Sequence, residues 1–133
     1  HLSAIKNKIP TIAVIGTGLD IFYPLENRKI QEYLAKNQLI LSEYSVGEKP
    51  LRYHFPERNR IIAGLSHGVV VIEAKLRSGS LITCERALEE GRDIFAVPGN
   101  IADGFSDGCN HLIQQGAKLI YQAQDILEEY LYD

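Results

Sequence analysis

Apolar residues gather in five short runs along the chain: TIAVIG (11–16), LILSEY (39–44), VVVIEA (69–74), DIFAVPG (93–99) and KLIY (118–121). They are rich in Val and Ile and do not alternate with polar residues, which is the pattern of strands covered on both faces. Between the runs the apolar spacing changes to three and four, predicting helices. Residues 27–36 place Ile30, Tyr33 and Leu34 on one side. Residues 56–65 have Pro56 in the first turn and Ile61, Ile62 and Leu65 directed inward. Residues 80–90 put Leu81, Cys84 and Leu88 on one stripe, with Gly91 as the stop. Residues 106–115 end at Gly116, and residues 124–130 carry Ile126, Leu127 and Tyr130.

Strands alternating with helices predict βαβ units, a parallel sheet and one α/β domain over 1–133. Right-handed crossovers then carry every strand C-terminus to one edge, where such sheets bind ligands. The loops expected there are GTGLD, SEYSVGEKP, AKLRSGS and PGNIADG. The opening HLSAIKNK reads as the end of a helix, so the expected sheet is truncated at its N-terminus.

Composition narrows the function classes. A net charge of −3 excludes a broadly basic surface, so a nucleic-acid partner would need a local cationic patch. No apolar run is long enough to span a bilayer, and no secretory leader pattern is present, which points to a cytoplasmic protein without a membrane partner. Cys84 and Cys109 fall on apolar helix faces, outside any CxxC or metal-ligand spacing. They read as buried thiols, and no metal or cofactor is expected.

Two loops carry candidate chemistry. In KLRSGSLIT, the turn Ser78-Gly79-Ser80 opens a helix whose free N–H groups favour an anion, and Lys75 and Arg77 flank it. Ser80 alone is also explained as an N-cap. In FPERNRII, Arg58, Asn59 and Arg60 sit on the first turn of a helix, where cations oppose the macrodipole and a phosphate would offset them. The GTGLD loop offers Gly16, Thr17 and Gly18 as a tight turn or a close approach to a ligand, although Ile21 replaces the third Gly of a dinucleotide fingerprint. His54, His67 and His111 have no metal-ligand spacing, and no triad, carboxylate pair or P-loop is present.

The motifs TIAVIGTGLDIFYP, LSEY, FPERNRIIAGLS, EAKLRSGSLIT, ALEEGRDIFAVPG and SDGCNHLIQQGAKL, in this order, resemble the DNA-processing protein DprA (Smf) family over essentially the whole chain. The resemblance implies a Rossmann-like domain that is not an enzyme. It implies binding of single-stranded DNA without sequence preference, and help in loading the RecA recombinase during natural transformation. Carried over by position, the DNA-binding edge is Gly16, Thr17, Gly18, Arg58, Asn59, Arg60, Lys75, Arg77, Ser78, Gly79 and Ser80. The resemblance also implies a homodimer through the region of Leu112, Ile113 and Leu119, with recombinase contacts nearby. Family members begin with further strands, including a Gly-Ser-Arg loop and a Gly-Ile-Asp segment, which this chain does not show. Phe22, Tyr23 and Tyr44 are candidate stacking platforms for bases. The rival reading is a nucleoside-monophosphate phosphoribohydrolase of the lysine-decarboxylase-like type. It is disfavoured because LRSGSLITCE stands where that loop reads P-G-G-x-G-T followed by Glu.

Overall fold

The computed structural model describes residues 1–131, so Tyr132 and Asp133 of the expected 1–133 span lie outside the described residues. The chain divides into two compact units, residues 1–58 and the residues from Asn59 onward, each with its own parallel sheet.

The first unit contains α1 (Leu2–Lys6), β1 (Ile12–Ile15), a 3-10 turn (Leu25–Asn27), α2 (Arg28–Asn37), β2 (Leu39–Ser42) and the start of α3 (His54–Leu65). β1 and β2 pair in parallel with Ala13 opposite Ile40 and Val14 opposite Leu41. α2 is the crossover between them. It buries Leu34, while Tyr33, one residue earlier and about 100° round the helix, remains exposed.

The second unit holds the rest of α3, then β3 (Gly68–Val71), α4 (Gly79–Glu89), β4 (Asp93–Ala96), α5 (Asp107–Gln114), β5 (Lys118–Leu119) and α6 (Ala123–Tyr130). The strands pair in parallel in the order β3-β4-β5, with Val69 opposite Ile94 and Phe95 opposite Lys118. The five strands expected from the apolar runs are all present, two in the first unit and three in the second, and every pairing is parallel.

The core of the second unit is built largely from small side chains: Ala63, Val71, Ala74, Cys84, Ala87, Ile94, Ala96 and Cys109. This corrects two inward assignments. In α4 Ala87 is buried with Cys84 while Leu88 beside it is exposed, and in α3 Ala63 is buried while Leu65 is exposed. An alanine lets a helix lie close to the sheet, and a residue one or two positions later then points well away from it. Gly91 and Gly116 end α4 and α5 with φ of +65° and +106°. The following amides of Arg92 and Ala117 bond back to the Ala87 and Leu112 carbonyls at 2.8 and 2.9 Å, closing the helix ends. α6 starts with a capping box between Gln122 and Asp125. Among the described residues no helix is long and apolar enough to cross a membrane.

Both cysteines are free and buried. Burial pushes the Cys84 thiol up to about 11, with the Cys109 sulfur adding to it, and burial also raises Cys109. Buried thiols held in the protonated form are poor nucleophiles. Ellman's reagent is therefore expected to label neither cysteine in the native protein and both in denaturant. Rapid labelling of Cys84 under native conditions would contradict this placement.

Candidate nucleic-acid interface

In the first unit, the turn after β1 is closed by the chain's own backbone. Gly16, Thr17 and Gly18 are all buried. The Gly18 amide bonds to the Glu48 carbonyl at 2.9 Å, and the Ser42 hydroxyl donates to the Thr17 carbonyl at 2.5 Å. A Cβ on Gly18 would fall inside contact distance of the Ser45 carbonyl. The close approach that Gly18 permits is thus made by the loop after β2, and the one at Gly16 by the Phe55 ring. Asp20 also fixes that loop by accepting from the Gly47 amide at 2.7 Å.

α3 begins at His54, two residues earlier than expected, because the His54 amide bonds the Leu51 carbonyl at 3.1 Å and the Glu57 amide bonds Tyr53 at 3.3 Å. Arg58 therefore opens the second turn, away from the free amides of the helix N-terminus. Its guanidinium turns inward: Nη1 donates to the Val14 carbonyl at 2.5 Å, and the group lies 5.6 Å over the Phe55 ring. Burial lowers its pKa from the ordinary arginine value. In the second unit Asn59 is half-buried and Arg60 exposed, and both are engaged by neighbouring groups.

His54 is the residue whose importance its sequence context left unmarked. It is 1% exposed. Nδ1 lies 2.9 Å from the Gly16 carbonyl and Nε2 3.3 Å from Glu48, while the ring stacks on Tyr44 at 3.8 Å and meets the edge of Tyr53. One imidazole thus ties the turn after β1 to the loop after β2. The available signal was a histidine set between Tyr53 and Phe55 just before Pro56, an aromatic cluster more typical of an interior than of solvent.

The same contacts sort the expected stacking residues. Tyr44 spends its face on His54 and its hydroxyl on the His54 carbonyl and Glu57. Phe22 lies under the Arg28 guanidinium at 4.8 Å. Tyr23 packs on Phe55 at 5.7 Å yet keeps about half its surface open. Burial, then the Glu57 hydrogen bond, pushes the Tyr44 hydroxyl up to about 12. Because the folded value exceeds an unfolded value near ~10, the stability contributed is complete below that pH and is lost as pH rises from ~10 to ~12. Tyr44→Phe is expected to shrink the alkaline fall in stability over that window, followed by denaturation at stepped pH. An unchanged alkaline limb would refute the assignment.

In the second unit the loop after β3 runs directly into α4. Ser78, not Ser80, is the N-cap: its side chain accepts from the Ser80 amide at 3.3 Å. The Ser78 amide is itself bonded to the Lys75 carbonyl at 3.0 Å. Two amides of the turn are thus closed by the turn, and the attraction for an anion falls mainly on Lys75, Arg77 and the α4 dipole. Lys75 and Arg77 are exposed, and a Cβ on Gly79 would meet open space. The loop is braced from behind by α5. The Gly108 amide bonds the Ala74 carbonyl at 2.8 Å, and Asn110 bonds both the amide and the carbonyl of Gly99 at 3.1 Å. Of the apolar residues expected to face a partner copy, Leu112 and Ile113 are half-buried and Leu119 is exposed.

Parallel βαβ units with a cationic loop at a strand C-terminus define a Rossmann-like α/β protein. The chain belongs to the DNA recombination-mediator protein A family, whose model matches residues 1–131. It is 65% identical over 130 residues to the DNA processing protein DprA of Streptococcus pneumoniae strain R6, covering 98% of this chain and 46% of that protein. It is 51% identical to DprA of Bacillus subtilis strain 168, covering 97% and 43%. The X-ray structure of the Streptococcus pneumoniae protein superposes with a TM-score of 0.94, over 97% of this chain and 46% of that one. DprA of Helicobacter pylori, at 36% identity and a TM-score of 0.81, covers 91% of this chain and 56% of that one, and that structure concerns a single-stranded DNA binding mode. The chain spans about half the length of these relatives or less.

Proposed function

We propose that this protein binds single-stranded DNA without reading its sequence, and helps to load RecA recombinase on the bound strand during recombination and natural transformation. The observation that carries the reading is the exposed pair Lys75 and Arg77, set beside the N-terminus of α4 on a braced turn, in a chain of this family. Cations on a rigid turn suit a phosphate backbone, which has the same chemistry at every nucleotide and so needs no base code. Ser78, Gly79, Ser80, Asn59 and Arg60 extend the cationic and polar surface of the second unit. In the first unit, Gly16, Thr17 and Gly18 act through the shape of their turn. The activity is binding, not turnover, and it needs no cofactor.

The test is fluorescence anisotropy with labelled oligo(dT) and a mixed-sequence strand of equal length, on the full-length protein over a range of salt. Similar affinities for the two strands, and a log–log salt slope of several times about −0.7, are expected. No binding at low salt would overturn the reading. Self-association through Leu112, Ile113 and Leu119 belongs to the same proposal. A concentration-dependent mass abolished by Ile113→Arg supports it, and a monomer at high micromolar concentration counts against it.

A further inference from the structure

The cations of the loop after β3 account for phosphates, but the same surface also carries apolar groups that phosphate binding does not use. Leu76 is 57% exposed, Ile101 85% and Phe105 49%. Phe105 is the distinctive one. The Lys75 ammonium stands 4.8 Å from its ring centroid, so the loop that offers the cation and the loop that offers the ring meet at this point. The loop that carries the ring is also braced. The Phe105 amide bonds Asp103 Oδ1 at 2.9 Å, Asn110 clamps Gly99 at the far end of the loop, and Gly108 anchors the near end to Ala74.

We propose that Phe105 is a base-stacking platform: a nucleobase of the bound single strand lies on the open surface of this ring while its backbone phosphate is held by Lys75. This rests on the single-stranded DNA reading above and adds a second kind of contact to it. An ordered aromatic ring beside a cation matches a nucleotide, which presents an apolar π-face next to a negative charge. The Lys75 ammonium 4.8 Å from the ring centroid places a cation where a phosphate attached to the stacked base arrives. Every base has such a face, so the contact adds affinity without sequence preference.

The experiment compares wild-type, Phe105→Ala, Phe105→Leu and Phe105→Trp full-length proteins on oligo(dT) and on an abasic strand of equal length, each variant checked for native circular dichroism. Phe105→Ala and Phe105→Leu are expected to bind oligo(dT) about five- to a hundredfold more weakly, the range of one lost stack. Their salt slopes should stay at the wild-type value, because no phosphate contact is removed. On the abasic strand, wild type and variants should bind alike. Phe105→Trp should retain affinity, and the indole fluorescence it adds over the wild-type protein should be quenched by oligo(dT) but not by the abasic strand. If wild type binds oligo(dT) and Phe105→Ala binds it equally well, the stacking inference is overturned while the DNA reading stands. If the loss is as large on the abasic strand, Phe105 acts through the loop's shape and the inference is likewise overturned. If wild type does not bind oligo(dT), both fall together.

Discussion

Gly108→Ala is expected to destabilise the protein by about 3 kcal/mol, the upper end of what forcing a methyl group into a filled site costs. A Cβ at this position would lie 2.7 Å from both the Ala74 and the Lys75 carbonyl oxygens. Those atoms belong to the backbone at the end of β3, which has no rotamer to change, so either α5 or the strand end must move. The Gly108 amide already uses the Ala74 carbonyl at 2.8 Å, and displacement would stretch that bond too. Thermal unfolding should show a fall in midpoint of roughly 10 °C for a chain of this size. DNA affinity should fall as well, measured on the fraction that remains folded, since Lys75 is part of the displaced segment. A midpoint within 2 °C of wild type would mean the α5–loop contact yields easily and does not brace the site.

Gly108 also shows where sequence reading stops. Its position in SDGCNHLIQQGAKL was legible as the start of a helix, and the five strands and the helices between them followed from apolar spacing alone. What spacing could not show is which backbone each glycine touches. Gly18 and Gly79 look alike in the sequence, each in a turn beside a strand end. One is packed against the Ser45 carbonyl and the other faces open space. The same gap explains Leu88 and Leu65. A helical stripe drawn through the largest side chains includes them, but the close approach of α3 and α4 to the sheet selects Ala63 and Ala87.

The candidate site was legible as a composition of cations and turns, less so as directions. Ser80 reads as the N-cap on paper, and the helix start at Gly79 gives that place to Ser78. His54 gave no signal in metal or catalytic spacing because its role is to join two loops through Gly16 and Glu48. Phe105 went unnoticed as a stacking residue because thirty positions separate it in sequence from the lysine above it.

The arginines make the strongest contrast, and the second large effect follows from it. Arg58 and Arg77 are the same residue type, in neighbouring motifs of one sequence, yet their surroundings differ in kind. Arg77 is exposed beside the start of α4. Arg58 donates to the Val14 carbonyl and covers the Phe55 ring, with burial acting on its charge. Arg77→Ala should therefore leave the unfolding midpoint within about 1 °C, as exposed cations contribute little to folding. It should weaken oligo(dT) binding roughly five- to tenfold and flatten the salt slope by about 0.7, the counterion share of one phosphate. The loss should be equal on mixed-sequence DNA, because a phosphate contact carries no base information. Arg58→Ala should do the reverse. Losing a charged hydrogen bond to a backbone carbonyl, together with the packing of the side-chain stem, costs about 2–3 kcal/mol of stability. The salt slope of the folded fraction should be unchanged. Both are read from one pair of experiments, a denaturant curve and a salt titration on each variant. If Arg58→Ala flattened the slope while Arg77→Ala did not, the phosphate contact would lie on α3, and the loop after β3 would be only a solvated turn.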